Sequence, residues 1–258
     1  MIGLAKTALR SSRRVRERLT PHRILFHHIP KCGGSAITRP FRMRSALSFH
    51  KVDEDGTLNM VDPGGEVGHF ARHDAAFALK RDLCRYFATT GTALVQAHVP
   101  YFPAREGEPL DSYDRITLLR EPRARFLSHY FWDKGRDNQN GITLELEEFL
   151  DTEQAHAFGS LMTRFLSDHA WPKACTPEAV EAAVQNAARF RIIGFLEDLP
   201  KFAEDVRAGY GWKMRFPVGN KGSVSDYDSI LTGPLAARLD EVCAADIALY
   251  ERLFTAGR

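Results

Sequence analysis

The chain has no run of about 18 consecutive apolar residues, so it offers no transmembrane helix. Residues 1–23 lack the continuous apolar stretch of a secretory signal peptide. Cysteine is sparse: Cys32, Cys84, Cys175 and Cys243 lie far apart, none in a C-x-x-C pair, which suits reduced thiols in a cytoplasmic protein. There is no internal repeat and no low-complexity tract. The nucleotide triphosphatase pattern G-x-x-x-x-G-K-[ST] is also missing.

Charge excess is small overall, at +2, but unevenly placed. Lys6, Arg10, Arg13, Arg14, Arg16, Arg18 and Arg23 face a single Glu17 within residues 1–23. The remainder is therefore slightly acidic, which argues against a generic polyanion binder and against a nucleic-acid partner. The basic segment reads in two ways, as a solvated leader or as an amphipathic helix touching a membrane surface or acidic partner. With 258 residues and 44% hydrophobic content, residues 23–258 suit one large domain behind a leader of residues 1–22.

Short β-rich runs at 24–29, 92–97, 115–119 and 191–195 alternate with helical patterns. This is how a buried parallel sheet with crossover helices reads. The helical patterns cover 122–134, 143–150, 155–166, 177–189, 199–207, 233–243 and 244–254. Thr176-Pro177-Glu178 has the order of a cap followed by proline in the first turn. Residues 50–68, rich in Asp, Gly and Asn, read as an exposed excursion, and 101–113 as a second loop.

Two stretches carry chemistry. In the first, the apolar run Ile24-Leu25-Phe26 leads through His27-His28-Ile29 into Pro30-Lys31-Cys32-Gly33-Gly34-Ser35. A strand, a glycine turn and a helix start in that order place backbone N–H groups and a helix dipole around an anion, with Lys31 adding a full charge. Lys31 precedes the glycines rather than following them, unlike the triphosphatase loop. In the second stretch a strand ends at Arg120 and Pro122 starts a helix, with Ser128 about two turns along. Arg120 then stands at the carboxyl edge of the sheet, where open α/β sheets bind ligands. An arginine fork beside a hydroxyl suits a phosphate monoester.

Together these stretches resemble the sulfotransferases that use 3′-phosphoadenosine 5′-phosphosulfate, in particular the carbohydrate, uronyl 2-O-sulfotransferase type. Pro30-Lys31-Cys32-Gly33-Gly34-Ser35 is similar to that family's 5′-phosphosulfate loop, and Leu119-Arg120-Glu121-Pro122 with Arg125-Phe126 and Ser128-His129-Tyr130 to its 3′-phosphate element. Gln96-Ala97-His98-Val99-Pro100-Tyr101 resembles its strand-end histidine segment, and Asp246-Ile247-Ala248-Leu249-Tyr250-Glu251-Arg252-Leu253-Phe254 its closing helix.

The resemblance implies a P-loop-like α/β fold, a parallel sheet flanked by helices, that passes a sulfuryl group from this donor to an acceptor hydroxyl. It implies that Lys31 stabilises the leaving phosphate, that Lys31, Cys32, Gly33, Gly34 and Ser35 hold the 5′-phosphate, and that Arg120 and Ser128 hold the 3′-phosphate. Arg164, in a segment resembling one near the family's active site, is a further donor or acceptor contact. His98 is the general base, since a strand-end imidazole can take a proton at neutral pH, with Glu121 the competing base. No metal is expected. The acceptor is a hydroxylated molecule, a carbohydrate or glycolipid, and the setting is cytoplasmic with peripheral membrane contact left open, as is oligomeric state.

Several positions depart from the pattern or admit other roles. Ala36 stands where the family often has a second hydroxyl, and Pro40 suggests a short or kinked helix after the loop. One of His27 and His28 is expected to pack in the sheet. His69 and His73 share a helical spacing that suits zinc, but no third ligand is evident. His129 reads as packing, and Cys32 as structural although its thiol stands where its pKa could fall. Asn220 and Lys221 within Gly219-Asn220-Lys221-Gly222-Ser223 are candidates for closing over the nucleotide. Two competing functions remain, a P-loop kinase, which the missing G-K-[ST] disfavours, and a non-catalytic binder of nucleotide or sulfated glycan.

Overall fold

In a computed structural model of the protein, residues 22–45, 48–136, 141–216, 227, 230 and 232–256 are described. The leader up to residue 21 and the segment holding Asn220 and Lys221 lie outside the described residues.

Five parallel strands form the centre: β1 (Ile24–His27), β2 (Phe49–Lys51), β3 (Leu94–Ala97), β4 (Asp114–Leu119) and β5 (Ile192–Phe195). Their order in the sheet is β2-β3-β1-β4-β5. β1 lies in the middle, with Phe26 opposite Gln96 of β3 and Ile116 of β4. The chain moves outward from β1 in one direction and from β4 in the other, so the crevice between them is the switch point where such sheets bind ligands.

Both faces of the sheet are covered, which is why the strands read as apolar runs rather than alternations. On one face Ile24, Phe26, Ile116 and Leu118 pack with Ile37 and Phe41 of α1 (Gly34–Ser45) and Phe202 and Val206 of the helix Leu199–Tyr210. On the other, Leu25, Val95 and Ala97 pack with Cys84 and Ala88. His27 is the sheet-packed histidine: its Nδ1 lies 3.1 Å from the Val99 carbonyl, and burial lowers its pKa to about 3.

The four strands and most helices read from the sequence are present, and the differences are instructive. Residues 50–68 are not one excursion. They hold the edge strand β2 and α2 (Glu54–Val61), and only the following stretch from Pro63 to Gly68 is exposed throughout. Asp53 explains the polar composition: its carboxylate accepts the Gly56 N–H at 2.7 Å, capping α2. The long α3 (His69–Thr89) was not expected as a whole, because Arg72, Lys80, Arg81 and Arg85 interrupt its apolar stripe. The helix expected at 155–166 is two, α4 (Glu153–Gly159) and α5 (Leu161–Ser167). Buried Asp246 accepts the Met162 and Thr163 N–H groups at 3.0 and 2.8 Å and so starts the second. Pro40 does not end α1, which runs on to Ser45. No helix among the described residues is long and apolar enough to cross a membrane.

Candidate functional site

The turn after β1 is built for close approach. Lys31 sits at φ 66° and Gly33 at φ 77°, two left-handed residues that swing the chain from strand to helix. Gly34 opens α1 against the His28 ring, so a Cβ there would lie 1.8 Å from His28 Nε2. His28 cannot easily yield, because it stacks on His98 at 4.3 Å and its Nδ1 lies 3.0 Å from the Gln96 amide nitrogen. Gly34→Ala is therefore expected to cost about 1–3 kcal/mol from overpacking. Thermal unfolding should report this as a lower Tm, and an unchanged Tm would show that the ring moves aside freely.

A large cavity of about 1650 Å³ opens over this turn. Lys31, Gly33, Gly34, Ser35, His98, Arg120, Ser128 and Arg164 all line it, so one space gathers nearly every site residue read from the sequence. The first N–H groups of α1 have no helical carbonyl to bind and favour an anion at this wall. Arg120 Nη1 donates to the Lys31 carbonyl at 3.1 Å, tying the end of β4 to the turn after β1 across the switch point. Ser128 comes from the following helix (Pro122–Asp133), which Pro122 starts and Glu121 caps.

Lys31 Nζ rests 3.9 Å from the centre of the exposed Trp132 ring. Burial, with Arg120 and Arg136, lowers its pKa to about 8 against the opposing pull of Asp133. The ammonium is thus mostly charged at neutral pH, and an anion seated beside it would raise the value again. Arg39, Arg44, Lys213 and Arg215 add further positive charge to the lining.

His98 stands just past β3, with Lys51 and Glu54 on the adjacent segment that carries β2 and α2. Burial lowers its pKa; Glu54 and the His28 backbone oppose this, while Lys80 and Lys51 reinforce it. The imidazole is therefore neutral near pH 7, the form that accepts a proton.

Cys32 and Glu121 lie away from the cavity, and Arg164 reaches it already paired. Cys32 does not line the cavity: its side chain is fully buried among core residues that include Leu119 and Phe165, its N–H bonds the Ile29 carbonyl at 3.3 Å, and burial raises its thiol to about 12. It shapes the turn and offers no thiolate. Glu121 is occupied as a cap, accepting the Ala124 N–H at 2.7 Å and pairing with Arg123 at 3.0 Å, and it too is absent from the lining. Arg164 reaches the cavity but is already ion-paired with Asp74, with its guanidinium 4.8 Å from the Phe77 ring centre.

His69 and His73 both line the cavity, with ring centres 4.6 Å apart, yet no group of three or more His, Cys, Asp or Glu suited to a metal occurs among the described residues. His129 packs as expected, its ring stacked on Phe158 at 3.8 Å, and its Nε2 also lies 3.2 Å from Asp133. Sequence reading passed over Glu54, Lys80, His28's place in the lining, and Trp132. The capping order Asp53-Glu54 before Thr57-Leu58 was the one available sign of a helix bringing Glu54 to the sheet edge. No protein-family model matches the chain, and no curated protein matches it in sequence.

Proposed function

We propose that the protein is a sulfotransferase of P-loop-like fold that moves the sulfuryl group of 3′-phosphoadenosine 5′-phosphosulfate to a hydroxyl of a carbohydrate, glycolipid or other small acceptor. The observation that carries this reading is the single cavity lined by Lys31, Arg120 and a neutral His98, with the Arg120 guanidinium bonded to the Lys31 backbone carbonyl across the switch point. The cavity has volume for nucleotide and acceptor together, and Lys31, Arg39, Arg44 and Arg120 in its lining suit a donor with two anionic groups.

In this reading the N–H groups around Gly33 and Gly34, with the Ser35 hydroxyl, hold the 5′-phosphate, and Arg120 with Ser128 holds the 3′-phosphate. The acceptor oxygen forms a bond to sulfur as the bond from sulfur to the phosphate oxygen breaks. The acceptor proton passes to His98, and Lys31 compensates the charge growing on the leaving phosphate. The products are a sulfate ester and adenosine 3′,5′-bisphosphate. As in phosphoryl transfer, positioning and charge stabilisation supply most of the catalysis, and the transfer is expected to proceed with a chelator present. The four cysteines are unpaired, which fits a cytoplasmic setting.

Calorimetry of adenosine 3′,5′-bisphosphate against AMP and ADP tests the two-anchor reading. The bisphosphate should bind at least about tenfold tighter, since a charge-assisted hydrogen bond contributes about 1.5–3 kcal/mol. Arg120→Ala should erase that preference. Equal binding of all three nucleotides by the unaltered protein would remove the case for a 3′-phosphate site.

A further inference from the structure

The parallel register of β2 and β3 brings Glu54 to the edge where His98 emerges. Lys51 lies opposite Gln96, and the Val52 N–H bonds the Gln96 carbonyl at 2.8 Å, so residues 52–54 and 96–98 leave the sheet side by side. Glu54 and His98 line the same cavity. One Glu54 oxygen, Oε1, accepts from Lys80 Nζ at 2.6 Å, and that lysine is fully buried. The other, Oε2, is buried and has no hydrogen-bond partner among the described residues. A buried carboxylate oxygen left without a donor is costly, so such an atom at an active-site wall points to a donor that arrives there during the reaction.

We propose that Glu54 is the positioning partner of His98, with Lys80 clamping the carboxylate so that its second oxygen meets the imidazolium formed when His98 takes the acceptor proton. This rests on the sulfotransferase reading and extends it by a residue that the sequence pattern did not single out. Glu54 does for His98 what a buried carboxylate does for a general-base histidine elsewhere: it orients the ring and stabilises its charged form. Lys80 fixes the carboxylate through the 2.6 Å contact to Oε1, which leaves Oε2 facing inward. The charged and titratable groups around His98 are then Glu54 from α2, Lys80 from α3, Lys51 at the end of β2, His28 beyond β1, and His129 across the cavity. Among the four ionisable side chains other than Glu54, none carries negative charge, so Glu54 alone favours the imidazolium by charge.

The test is Glu54→Gln, followed by NMR titration of the His98 ring and by pH profiles of sulfuryl transfer. Removing the carboxylate should move the His98 titration and the acid limb of kcat/KM to lower pH, and lower kcat at least tenfold while bisphosphate affinity stays within about twofold. The neutral pair Glu54→Gln/Lys80→Met removes the lysine that pushes the other way. Its titration should return toward that of the unaltered protein, and it guards against a fold spoiled by one unpaired buried charge. Glu54→Asp should recover part of kcat. An unmoved His98 titration and unchanged kcat in Glu54→Gln would overturn the proposal while leaving the sulfotransferase reading intact. Absence of sulfuryl transfer by the unaltered protein would instead defeat that reading, whatever the titration shows.

Discussion

His98→Asn is expected to lower kcat by roughly 10²–10⁴-fold, the usual contribution of a positioned general base. Donor-product affinity should stay within about twofold, because His98 adds no charge to the cradle at neutral pH. Asparagine keeps much of the ring's polarity and bulk but takes no proton, so the stack on His28 is the main packing loss. The pH dependence gives a second check. Burial, chiefly, holds the His98 pKa below the ordinary 6.5, so the acid limb of kcat/KM belongs below that value and rate is lost as pH falls through it. That limb should vanish in His98→Asn. Retained turnover would return Glu121 or another group to the role of base, although the cap that Glu121 makes with Ala124 already occupies it.

Lys31→Ala should cost on the order of 10²–10³-fold in kcat, the scale seen when one preorganised charge-stabilising donor is removed. Here the profile changes on the opposite side. Lys31 in the donor-free protein titrates at about 8, so kcat/KM should fall as pH rises through that value. A bound dianion raises the lysine's pKa, which places the basic limb of kcat at higher pH than that of kcat/KM. Both limbs should disappear in Lys31→Ala. Stopped-flow or steady-state profiles from pH 5 to about 10 resolve this, and a basic limb that survives the substitution would assign it to another group.

Much of the fold was legible because buried parallel strands are short, apolar and bounded by turn residues. β1, β3, β4 and β5 announced themselves in this way, and so did the helix that Pro122 starts. β2 was not legible, since Phe49-His50-Lys51 is a three-residue edge strand whose polar side chains carry no burial signal. α3 hid behind its basic residues, of which Lys80 is buried through an ion pair that only the folded chain reveals. The lining of the candidate site was legible where it is written in nearby residues, as at Lys31, Gly33, Gly34 and Arg120. It was illegible where it depends on register, as with Glu54 beside His98. Cys32 shows the converse: a residue inside the motif whose side chain turns away into the core.

The most direct measurement follows sulfur itself. The purified full chain is incubated with ³⁵S-labelled 3′-phosphoadenosine 5′-phosphosulfate, a chelator, and a panel of carbohydrates, glycolipids and small hydroxylated metabolites. Label should move to an acceptor hydroxyl with one equivalent of adenosine 3′,5′-bisphosphate formed per ester, and Lys31→Ala and His98→Asn should each slow the transfer by at least about 10²-fold. Phosphate transfer from ATP with magnesium, in the absence of any transfer from the sulfate donor, would contradict a sulfotransferase and restore the kinase.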